Sequence, residues 1–143
     1  PNFDKIKFLD VGLWNSNTIL RFFKQSSGNG VSQTFIKDLY INKTNPNNFD
    51  IVNVKTIDTI MKEENHTLNN LKLLKLDIEG AEVTVLPYLI EKKIFPKYLL
   101  VEYDALINRK FVNQTKNINL QLQKMGYKLL CNNNFNILYV YQK

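Results

Sequence analysis

The stretch that most constrains this chain is Leu71-Lys72-Leu73-Leu74-Lys75-Leu76, which runs without a break into Asp77-Ile78-Glu79-Gly80-Ala81-Glu82. An apolar run this short, rich in leucine and followed by turn material, reads as a buried strand. Ala81 to Leu86 then begins a helix. Pro87 interrupts that helix and suits the first turn of a second piece, Tyr88 to Ile94, which Pro96 ends. A strand follows at Tyr98–Glu102, then a helix from Asn113 to Met125 with Ile118, Leu122 and Met125 on one face and Gly126 at its C-terminal cap. Tyr127–Leu130 and Ile137–Tyr141 read as a hairpin across Asn132-Asn133-Asn134. Strand–helix–strand–helix order implies a parallel sheet with helices on its faces, closed by one antiparallel strand: an α/β chain.

The first half is strand-rich. Ile6–Val11 and Thr18–Phe23 read as strands with Asn15-Ser16-Asn17 between them. Gln25 to Ser32 reads as a polar loop, and so does Lys37 to Asn48, which contains Asn45-Pro46-Asn47-Asn48. Asp50–Val54 is a third strand. Thr56 caps a short helix with Ile57, Ile60 and Met61 on one face, and Glu63 to Asn70 is a loop. No internal repeat and no second domain is visible, so the 143 residues are read as one domain.

Composition removes several classes. Hydrophobic residues at 44% and charged residues at 22% exclude a wholly disordered chain. Cys131 is the one cysteine, so an internal disulfide framework is excluded; its place on a terminal strand predicts a core position. No apolar run reaches the roughly 18 residues of a membrane span. No signal-peptide pattern opens the chain, so a cytoplasmic location is expected. The net charge of +6 comes almost wholly from scattered lysines; only Arg21 and Arg109 are arginine. Without an arginine-rich or aromatic–basic stripe, nucleic-acid binding is the weaker reading, and a soluble charged surface is the stronger.

Chemistry concentrates at Asp77. In open α/β sheets ligands sit beyond the carboxyl ends of the strands, and Asp77 is the first acid after the buried run. Glu79 and Glu82 follow on the turn and the first helical turn, where the helix dipole also favours an anion. The next strand ends in Glu102 and Asp104. Two neighbouring strands thus deliver carboxylates to one edge, with Lys75 placed to bridge to one of them. The smaller features point elsewhere. His66 reads as exposed in a polar loop, and Trp14 as packed beside the first strand. The sequons at Asn42, Asn65 and Asn113 are expected by chance in so asparagine-rich a chain.

Leu74-Lys75-Leu76-Asp77-Ile78-Glu79-Gly80-Ala81-Glu82, followed by Val85-Leu86, resembles the signature of the FkbM family of S-adenosylmethionine-dependent methyltransferases. The flanks are similar too. Val54-Lys55-Thr56-Ile57-Asp58 matches the segment before the signature and Pro96 to Glu102 the strand after it. Val11-Gly12-Leu13-Trp14-Asn15 and the Gly28–Ser32 loop match the upstream segment. Pro87 departs from a position where family members often carry glycine. The resemblance implies a Rossmann-like sheet of order 3-2-1-4-5-7-6, with Ile6–Val11 as strand 3, Leu71–Leu76 as strand 4, Tyr98–Glu102 as strand 5 and the hairpin as strands 6 and 7. Strands 1 and 2, which carry the cofactor's glycines and ribose-binding acid, find no match. A rival alignment makes Phe8-Leu9-Asp10-Val11-Gly12 the glycine motif. Against it, the bulky Leu13-Trp14 follows where a backbone must approach the cofactor.

The resemblance therefore implies residues 1–143 as one partial methyltransferase domain, lacking two strand–helix units on the order of 60 residues. Their removal leaves a gap of about 14 Å. Either the N-terminal strands re-pair with Leu71–Leu76 or that strand keeps an open edge. The implied cofactor is S-adenosylmethionine and the implied acceptor a hydroxyl of a sugar or other small molecule. Asp77, Glu79, Glu82 and Glu102 are the implied catalytic residues, and Val11, Gly12 and Asp77 the cofactor-side ones. A divalent metal on Asp77, Glu79 and Glu102 is chemically conceivable, yet no spacing fixes it and none is assigned. The other classes kept open are a non-catalytic remnant acting as an interaction module and a lysine-rich nucleic-acid binder.

Overall fold

The structure, a computed structural model, describes residues 5–25, 33–40 and 44–142. The loop read at Gln25–Ser32 and the sequon at Asn42 fall outside these residues, apart from Gln25 itself. The architecture is mixed α/β, with two four-stranded sheets and three α-helices among the described residues.

The first sheet has the order β1-β4-β2-β3, formed by β1 (Gly12–Leu13), β2 (Thr18–Gln25), β3 (Gln33–Thr34) and β4 (Thr44–Lys55). β1 runs parallel to β4, and β2 pairs antiparallel with both β3 and β4. The strand expected at Ile6–Val11 does not form. Only Gly12 and Leu13 find partners, Val54 and Lys55. The apolar residues are present, but the Val11 N–H donates to Leu9 O at 2.9 Å and bends the chain in a tight three-residue turn. Ile6 and Phe8 stay 70% and 85% exposed. The stretch read as loop before Asn48 belongs in part to β4. Its turn residues are accommodated by a register slip, because β4 carries Asn45 to Asn48 where β2 carries only Lys24. Along that stretch β1 is not alongside, so among the described residues Pro46 has one unpaired strand side, where a missing N–H is tolerated. Trp14 packs beside this sheet, its ring 5.7 Å from Phe35.

Thr56 caps α1 (Ile57–Glu63), its hydroxyl accepting the Thr59 N–H, and turns Ile57 and Met61 inward. His66 is exposed in the loop beyond. The second sheet has the order β5-β6-β8-β7, from β5 (Leu73–Leu76), β6 (Tyr98–Glu102), β7 (Tyr127–Asn133) and β8 (Asn136–Tyr141). β5 and β6 are parallel; β8 lies antiparallel between β6 and β7. Leu76, Leu99, Val101 and Tyr139 turn to one face and meet Val83, Leu86 and Leu89 of α2 (Glu82–Glu91) and Ile118 and Leu122 of α3 (Val112–Met125). These side chains are almost wholly enclosed, each worth about 1.5–3 kcal/mol of transfer free energy.

β5 is less buried than its leucines suggest. Leu73 is 52% exposed, Lys75 is exposed, and only Leu76 is enclosed. No described strand pairs with its outer side, so of the two outcomes for this strand the open edge is the one realised. Pro87 does not divide its helix; α2 continues through it. Proline cannot donate to the carbonyl four residues back, Val83 O, but Gln114 Nε2 of α3 donates to that oxygen at 3.1 Å instead. α3 ends as expected at Gly126, φ 114°. The hairpin turns later than expected, at Asn134 and Phe135, because Asn134 accepts the left-handed φ of 55° that a short turn needs. Cys131 is exposed, not in the core: β7 is the outermost strand and slips register between Leu129 and Cys131.

Candidate active site

Parallel pairing of Leu76 with Val101 sets Asp77 beside Glu102 at the carboxyl ends of β5 and β6. Asp77 is exposed, and Lys75 Nζ reaches its Oδ2 at 2.5 Å. This contact holds Lys75 above the usual lysine range.

From Asp77 the chain must reverse into α2, and it does so through two successive left-handed residues, Glu79 (φ 51°) and Gly80 (φ 90°). Gly80 is required twice over. Its φ suits glycine, and a Cβ there would lie 2.6 Å from Leu39 Cδ2. Gly80→Ala is expected to cost about 2 kcal/mol in urea unfolding, combining a left-handed L-residue with a displaced core leucine. A loss indistinguishable from zero would contradict this account of the turn. Glu79 is held at both ends: its carbonyl accepts the Thr34 hydroxyl at 2.6 Å, and its Oε2 accepts the Tyr40 hydroxyl.

Glu82, the first residue of α2, points inward. It is fully enclosed, with Oε1 accepting the Ala105 N–H at 2.7 Å and Oε2 buried without a partner. Burial pushes its carboxyl up to about 7, against the pull of the Ala105 amide and the turn's own N–H groups, while Glu79 adds a smaller upward push. Asp104 follows β6 in a 3-10 turn, Asp104–Ile107. Burial first, then the charges of Glu79, Glu82, Glu102 and Asp77, also raise it to about 7. Its Oδ2 is buried without a partner. Beneath, Tyr103 and Tyr139 share a hydrogen bond at 3.0 Å, and burial lifts Tyr103 far above the ordinary phenol range.

A cavity of about 550 Å³ opens between the 8–13 segment and the free edge of β5, walled in part by Phe8, Val11, Gly12, Phe35, Asp77 and Glu79. Val11, Gly12, Asp77 and Glu79 thus share one space. Glu102 stands beside Asp77 but off that wall, and Glu82 lies behind it. Thr34, Leu39 and Tyr40 escape sequence reasoning. The Glu-Gly pair signals a turn needing support, but nothing in the sequence names the segment that supplies it. Among the described residues, no group of three or more His, Cys, Asp or Glu is arranged to hold a metal ion. No helix among them is long and apolar enough to cross a membrane.

The family model described as Methyltransferase FkbM domain matches residues 2–129. No curated protein and no solved structure matches the chain.

Proposed function

Because this chain belongs to the FkbM methyltransferase family, we propose that its acidic edge serves methyl transfer from S-adenosylmethionine to a hydroxyl of a sugar or other small molecule. The observation that carries the reading is the meeting of Asp77 and Glu79 with Val11 and Gly12 on one cavity wall. In this reading Asp77 and Glu79 accept a hydrogen bond from the acceptor hydroxyl, orient it and take its proton. Glu102 supports Asp77 from the adjoining strand. Glu82 acts from behind, holding the Asp104–Ala105 turn through the Ala105 amide. The order β5-β6-β8-β7 supports the 4-5-7-6 half of a Rossmann-like sheet.

The cofactor's side fits less well. Gly12 offers no empty cradle, because the space of its missing Cβ is taken by Phe35 Cζ, 2.8 Å away. The glycine-bearing strands 1 and 2 have no counterpart among the described residues. We therefore read residues 1–143 as a partial domain that is inactive alone, and no step through the cofactor is assigned to this chain. Calorimetric titration of the chain with S-adenosylmethionine is expected to show no binding; micromolar affinity would overturn the partial-domain reading. The chain joined to the family's two glycine-bearing strand–helix units is expected to transfer tritiated methyl to a hydroxyl acceptor. Failure across a panel of sugars and small alcohols would overturn the function.

A further inference from the structure

We propose that Thr34–Tyr40 is a clamp on the acidic turn, with Thr34 and Tyr40 as positioning residues for Glu79. Its use in catalysis rests on the methyl-transfer reading, while the clamp itself rests on geometry. Glu79 holds a left-handed backbone without being glycine, a conformation that costs an L-residue about 1–2 kcal/mol and that hydrogen bonds to its backbone and side chain offset. Thr34 fixes the backbone by donating its hydroxyl to the Glu79 carbonyl at 2.6 Å, and Tyr40 fixes the carboxylate by donating to Oε2. Between them Leu39, fully enclosed, fills the space above Gly80.

The clamp is anchored in turn. Thr34 Oγ1 accepts the Ile36 N–H at 3.0 Å, and Asn108 Nδ2 donates to Asp38 O at 2.7 Å. Thr34 and Asn108 are both buried, so one end of each bond is enclosed. Phe35 of the same segment packs tilted on Phe22, ring centroids 4.6 Å apart, and walls the cavity. One short segment therefore shapes the cavity and aims the carboxylate on its wall. A carboxylate that must meet a small hydroxyl in one geometry gains from such fixing.

The test uses the chain itself, with glutamate labelled with ¹³C at the side-chain carboxyl. At pH 7, Tyr40→Phe is expected to move the Glu79 carboxyl resonance, whereas Tyr98→Phe, on the exposed face, leaves it in place. Thr34→Val is expected to speed deuterium exchange at the Glu79–Glu82 amides by about ten-fold, the effect of one lost buried hydrogen bond, with α3 unchanged. Thr34→Ser is expected to restore the parent rate. An unmoved Glu79 resonance in Tyr40→Phe overturns the proposal, as does a Thr34→Ser variant that exchanges like Thr34→Val. Neither readout needs cofactor or turnover. A chain that passes both yet never supports methyl transfer refutes the reaction and leaves the clamp in place.

Discussion

Asp77→Ala, made in the form completed by the two glycine-bearing strands, is expected to lower kcat/KM by about a hundred-fold to ten-thousand-fold, the usual worth of a positioned acid–base group. Stability should hardly change. The side chain of Asp77 is 43% exposed, and its contact with Lys75 lies on the surface, where ion pairs contribute about 0–1 kcal/mol. Far-UV circular dichroism and urea midpoints matching the parent would show that the lost turnover is chemical. Glu102→Ala, beside Asp77 but off the cavity wall, is expected to lose much less. Unchanged turnover in Asp77→Ala would refute the assignment, and equal losses in the two variants would refute the division of labour between them.

The second large effect is one of stability. The carboxyl of Glu82 goes from an ordinary value of 4.5 to about 7 on folding. Below about pH 4.5 the group is protonated in both states and its contribution is fully present. Between 4.5 and 7 the unfolded chain loses the proton while the native state still holds it, so stability falls as pH rises. Above 7 the native state carries a buried carboxylate whose Oε2 has no partner. At about 1.4 kcal/mol per pH unit the whole loss is about 3–4 kcal/mol. Glu82→Gln keeps an acceptor for the Ala105 N–H and cannot ionise. Urea unfolding of this variant is expected to lose less stability than the parent as pH rises from 5 to 8, keeping only the slope that Asp104 supplies. Asp104 shifts the same way but is less deeply enclosed than Glu82, so its share is smaller. If parent and variant lose stability in parallel as pH rises, the burial account of Glu82 is wrong.

What sequence could convey followed from local rules. Strand–helix–strand order forces parallel neighbours, so Asp77 beside Glu102 was readable before any coordinates. Tyr98–Glu102, the Thr56 cap and the Gly126 cap are set by residues within a turn or two of themselves, and all three form as read. The failures have distant causes. Ile6–Val11 has a strand's apolar content but finds no partner among the described residues, and pairing is a property of two segments. Pro87 stays inside a helix because a side chain 27 positions away in sequence, Gln114, satisfies the carbonyl that proline cannot. Glu82 looks like an ordinary helix-start acid, which the dipole would explain, yet the Ala105 amide draws it inward. Thr34 and Tyr40 carry no signal at all, since nothing local says that Glu79 needs holding.

The bond from Gln114 to Val83 has a wider meaning for how the molecule comes apart. With a proline in its middle, α2 lacks one rung of its own ladder and borrows it from α3. Peeling α3 away would exchange that bond for one to water and leave the helix without its protein rung, so opening of α3 loosens α2 as well. The acidic turn joins the head of α2 but is pinned from the first sheet through Thr34, so its opening answers to both halves of the molecule.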